Sequence, residues 1–104
     1  MVEMFSPHAV RRGPTDIEMV REVTLQQLSD WLLRRFEGLP DHFMQRFRDL
    51  EILKRGLSPI FDEMQDGDSL WLCQSRFRAP LIGHEGVALV RDKRPLIYIR
   101  VLNH

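Results

Sequence analysis

Cysteine is nearly absent. Cys73 is the only one in 104 residues, so no disulfide can form within the chain, and a domain of this size without one fits a reducing compartment. Long hydrophobic runs are missing too. The apolar stretches are a few residues each, far short of the ~20 that span a bilayer. Residues 1–14 carry no continuous apolar segment and place Arg11 and Arg12 late, so they do not read as a signal peptide. The expected location is the cytoplasm, with no membrane partner. An excess of charge of one sign is missing as well: fifteen Lys and Arg balance fifteen Asp and Glu. That balance gives no global pull toward nucleic acid or anionic lipid and leaves little repulsion between copies.

Recognisable chemistry is the last absence. His8, His42, His84 and His104 show no paired metal spacing, and there is neither a glycine-rich phosphate loop nor a nucleophile elbow. No catalytic, cofactor-binding or metal-binding residue is assigned, and no cofactor is expected.

What is present is an ordinary globular composition, 43% hydrophobic and 29% charged, in a chain long enough for one core. Residues 1–15 contain Pro7, Gly13 and Pro14 without a period and read as a mobile arm, docked in part through Met4 and Phe5. Residues 16–104 read as one α+β domain. Within 17–23, Ile17, Met19 and Val23 fit the alternation of a strand, but Arg21 breaks it, so a strand and a lead-in to a helix both remain open.

Thr24 followed by Gln27 spells a capping box, with Val23 and Leu28 placed for a hydrophobic staple. Leu25, Leu28, Leu32 and Phe36 recur at helical spacing until Gly38 and Pro40 mark the stop. A second helix is expected from Pro40 to Arg55, with Phe43, Phe47, Leu50, Leu53 and Leu57 on one stripe. Ser58 and Pro59 open a shorter third helix; whether it continues the second one is open. Trp31, Phe36, Phe43, Phe47 and Phe61 are expected in the core.

After the turn signal Asp66-Gly67-Asp68 the pattern changes. Strands are expected at Ser69 to Ser75, Gly86 to Arg91 and Leu96 to Leu102. The expected architecture is α+β: two to three helices on one face of a C-terminal three-stranded antiparallel meander, with room for an extra N-terminal strand. The strings GDSLW (Gly67 to Trp71) and GHEGVALVRD (Gly83 to Asp92), with a closing strand near Asn103, resemble a group of small uncharacterised bacterial proteins. The resemblance implies a fold unit over roughly residues 66–104 and a bacterial or phage-related setting, and no activity. On this pattern Gly83 and Gly86 bracket a turn.

His84-Glu85 is the most suggestive polar pair, but neighbours on an extended chain point to opposite faces, and a solvated turn is the simpler expectation. Cys73, in an apolar strand, reads as a buried and inert thiol. Arg76, Phe77 and Arg78, with Arg94, form a basic-aromatic candidate for nucleic acid. The third strand carries the main functional expectation. Ile97, Ile99 and Val101 are assigned to the helices, which leaves Leu96, Tyr98, Arg100 and Leu102 on a second face. That face is the candidate interface for a homodimer or a protein partner. The expected function is therefore a non-enzymatic interaction domain. A nucleic-acid-binding regulator is the alternative, and a small enzyme without a recognisable motif the third.

Overall fold

The structure, a computed structural model, describes residues 9–76 and 83–103. Among these residues the order is β1 (Val10–Arg12), β2 (Ile17–Val23), α1 (Leu25–Arg35), α2 (Asp41–Arg48), α3 (Leu50–Gly56), α4 (Ile60–Glu63), β3 (Ser69–Ser75), β4 (His84–Arg91) and β5 (Arg94–Asn103). The fold is α+β, with one antiparallel five-stranded sheet in the order β1-β5-β4-β3-β2.

α1 begins where the capping box requires. Thr24 Oγ1 accepts from the Gln27 amide at 3.1 Å, and Gln27 Oε1 accepts from the Thr24 amide at 2.9 Å, which satisfies two donors that a helix start leaves unpaired. Its Leu28 and Leu32 are fully buried. The expected helix from Pro40 to Arg55 is instead two helices. Asp49 adopts an extended conformation, and its carboxylate accepts from the amides of Glu51 and Ile52. An aspartate able to cap competes with helix continuation, and here the cap prevails. Ser29, buried in α1, fixes the end of α2 by donating to the Phe47 carbonyl at 2.5 Å.

Splitting the helix also turns its stripe. Met44 and Phe47 are the buried pair of α2, and Phe36 stacks on Phe47 at 5.3 Å between centroids. Phe43, expected in the core, is 41% exposed. It lies under Arg46, with the His42 ring 4.3 Å away. The helices cover one face of the sheet, where Val23, Leu70, Leu72, Val87, Leu89, Ile97 and Ile99 meet Leu28, Leu32, Leu53, Leu57 and Ile60.

β2 is a strand along its whole length, paired with β3, and the break in alternation noted at Arg21 is a bulge: the register shifts between Met19 and Arg21. Of the arm expected over residues 1–15, the described part includes β1, which pairs with β5 from Val10 opposite Ile99 to Arg12 opposite Ile97. β5 is therefore an inner strand, not the sheet edge that its place at the end of the sequence suggests.

The link from β1 to β2 sets the shape of the sheet. Arg12 sits beside Ile97 on one edge strand and Ile17 beside Ser75 on the other, with only Gly13 to Asp16 between them. Fully extended, that link reaches ~18 Å. Four strand spacings in a flat sheet already take up ~19 Å, before the offset along the strands is added. The sheet must curl so that its edges approach. Neighbouring arginines of β1 reach the two faces. Arg12 points to the helix side and pairs with Glu63 of α4 at 2.5 Å. Arg11, opposite Tyr98, points to the other face and pairs with Asp16 at 2.9 Å. On that second face Ile17, Cys73, Ala88, Val90 and Tyr98 form a separate small core.

Two further details of the β-region depart from the sequence pattern. Gly86 lies inside β4 rather than in a turn. A Cβ there would come within 2.0 Å of the Ile99 carbonyl oxygen, so the glycine permits a close strand crossing at a register shift. The β4–β5 turn is tighter than expected. Asp92 and Lys93 both adopt positive φ (52° and 66°), as a two-residue hairpin of the primed type requires.

Candidate functional site

The polar residues of the second face gather at the end of the curl near the start of β4. His84 Nδ1 lies 2.8 Å from the Tyr98 hydroxyl, and the His84 amide donates to Ser75 Oγ at 3.1 Å. Asp16, at the entry to β2, accepts from Arg11 at 3.1 Å through Oδ2. Its Oδ1 lies 2.9 Å from Arg11 but receives no hydrogen bond among the described residues, so the contact there is one of charge. That hydrogen bond from Arg11, aided by a backbone hydrogen bond and the charge of Arg11, holds the Asp16 carboxyl below its ordinary value, against the opposing effect of burial. Burial pushes the Tyr98 phenol well up, helped by nearby Cys73. It pushes the Cys73 thiol up to about 12.

The chemistry of this cluster follows from those shifts. At neutral pH the phenol and the thiol both keep their protons, so neither is a nucleophile or a base. Tyr98 fixes one nitrogen of the His84 ring. The solvated turn expected at His84-Glu85 is instead the half-buried start of β4. Their divergence holds: Glu85 faces the helix side and pairs with Arg35 at 2.5 Å, so the two do not work as an acid–base pair. Among the described residues no group of three or more His, Cys, Asp and Glu side chains is placed to hold a metal ion.

Of the basic-aromatic candidate, the described residues include Arg76 and Arg94, and these two lie apart. Arg76 stitches the sheet: its amide donates to the Asp16 carbonyl at 2.9 Å and its Nε to the Ile17 carbonyl at 3.1 Å. Arg94 is exposed just past the β4–β5 hairpin. The length of β4 separates the two, roughly 25 Å at the usual strand rise. Phe77 and Arg78 lie outside the described residues.

Nor do Leu96, Tyr98, Arg100 and Leu102 share a face. Register shifts in the β4–β5 pairing fall at Leu96 and at Val101, and each extra residue reverses the alternation that follows. Leu96 packs against the helix-side core, and Leu102 stands opposite Glu85. Tyr98 and Arg100 remain on the second face; Tyr98 is fully buried and Arg100 exposed. The expectation failed because it treated β5 as regular and the sheet as flat.

Among the described residues the exposed large apolar side chains lie elsewhere, at Val20 (55%), Leu39 (42%) and Phe43 (41%). Val20 sits at the bulge of β2, the strand that forms the long edge of the sheet. Glu18, Arg21 and Glu22 flank it, and Glu18 accepts from Gln74 Nε2 at 2.5 Å. The sequence signal for this surface was the broken alternation at Arg21. No helix among the described residues is long and apolar enough to cross a membrane. The chain matches no protein-family model, and neither a curated protein nor a solved structure shows significant similarity to it.

Proposed function

We propose that this chain is a cytoplasmic, non-enzymatic interaction domain that works by pairing with a second copy of itself. The observation that carries the reading is the outer edge of β2. It is seven residues long and has no strand on its outer side among the described residues. It also presents Val20, the most exposed large apolar side chain among the described residues. An open strand edge offers a row of backbone donors and acceptors to another strand, and a two-fold pairing of like edges is the simplest closed assembly. The balanced net charge does not oppose it. This moves the interface from β5, which is covered on both sides, to β2.

Sedimentation or light scattering over the micromolar range tests the proposal. A mass that rises to twice the chain mass is expected, and Val20→Asp lowers the association. A monomeric mass at every concentration overturns it. A salt-dependent shift on polynucleotide would favour the nucleic-acid reading instead.

A further inference from the structure

The charges along β2 select one way for two copies to meet, an inference that rests on the self-association proposed above. Between Ile17 and Met19 the strand alternates normally, and Glu18, opposite Gln74, faces the helix side. Without the bulge, Arg21, three residues on, would face the other way. The extra residue at Val20 restores it to the side of Glu18, opposite Leu72. Glu18 and Arg21 therefore stand on the same face, one pairing position either side of Met19.

We propose that the second copy docks β2 against β2 antiparallel, about a two-fold axis at Met19, so that Glu18 of each copy faces Arg21 of the other. Face parity admits only alternate registers. The next one toward Val23 places Arg21 against Arg21, which repels. The register at Met19 instead gives two opposite-charge pairs on one face. The Gln74 bond to Glu18 is compatible with this, since a carboxylate accepts from more than one donor. Strands without complementary charges are disfavoured at this edge, so it fits a copy of itself better than a generic extended peptide.

Charge reversal in the full chain tests the register. Glu18→Arg alone and Arg21→Glu alone should each weaken self-association about tenfold, as two attractive cross-strand pairs become repulsive. Mixing the two variants should restore association as a heterodimer, and the double variant E18R/R21E should restore the homodimer. A wild-type chain that self-associates, with single variants that do so equally well, would overturn the register and leave self-association standing on another surface. A wild-type chain that stays monomeric would overturn both. Circular dichroism checks the fold of each variant. If Glu18→Arg unfolds through loss of the Gln74 bond, Arg21→Glu decides alone: weaker pairing supports the register, and unchanged pairing defeats it.

Discussion

The two faces of the sheet carry separate buried clusters of different size. The helix side is covered by separate elements. α1 to α4 bring Leu28, Leu32, Leu53, Leu57 and Ile60 onto Val87, Leu89, Ile97 and Ile99, all at or near zero exposure. The second face has a buried cluster of its own, and the short link from β1 to β2 draws the edges of the sheet together. That buried cluster has fewer residues: Cys73, Gly86 and Ala88 lie near Tyr98, Ile17 and Val90 complete it, and Met19 and Trp71 pack against it. A separate layer of helices can adjust its distance to the side chains beneath it, whereas a closing sheet fixes that distance through its own backbone. The helix side should therefore tolerate changes of volume that the curl does not.

The largest effect should come from substitutions that contrast these two modes. Gly86→Ala forces a methyl against the backbone oxygen of Ile99, with no side chain free to yield. It should cost about 3 kcal/mol or prevent folding. Leu53→Ala on the helix side should also cost about 3 kcal/mol, through transfer and cavity terms. Its loss should be recoverable by Leu53→Met, at under ~1.5 kcal/mol, whereas no side chain larger than hydrogen should be accepted at position 86. Urea unfolding midpoints of the three variants check this; a fully stable Gly86→Ala would break the comparison.

Smaller effects probe the polar fixings of each side. Thr24→Ala removes one arm of the capping box of α1 and should cost ~1 kcal/mol. Tyr98→Phe keeps the packing of the second face but takes the hydroxyl from His84, and should cost a similar ~1 kcal/mol. An unchanged thermal midpoint for Tyr98→Phe would mean that the curl is held by packing alone.

The smallest expected effect is one of pH. Each face has an ion pair at its rim, Arg91–Asp68 on the helix side and Arg11–Asp16 on the other. The hydrogen bonds from Arg91 hold the Asp68 carboxyl down at about 2, against an ordinary 3.8, and Arg11 lowers Asp16. A carboxyl depressed in the folded state contributes stability above its unfolded value, and that contribution is lost as pH falls toward the folded one. Stability should thus decline between pH 3.8 and about 2. Asp68→Asn should flatten the decline more than Asp16→Asn. Equal slopes in acid titrations of the two variants would show that the rims contribute alike.

Much of the architecture was legible from local pattern. The start of α1 was written in Thr24, Gln27 and the staple, because a cap is satisfied by residues within one turn of each other. β3, β4 and β5 were legible from their apolar alternation, as was the burial of Cys73. Other features had no local signal. Val10, Arg11 and Arg12 become a strand only because β5 offers them an edge. The split at Asp49 reflects a contest between two local structures, decided by how α1 and α2 pack. The irregularities opposite Leu89 and Glu85 that send Leu96 and Leu102 away from Tyr98 depend on how β5 follows β4.

By itself, then, the amino-acid sequence determined the elements: one capped helix, further helices after Pro40, three C-terminal strands and a surface without net charge. Each of those depends on residues near one another in the chain. Only the tertiary structure decided which strand is an edge, which face of the sheet is closed and where Tyr98 lies. The physical reason is the link from Gly13 to Asp16. It is too short to cross a flat sheet, so it bends strands that are neighbours in space and distant in sequence.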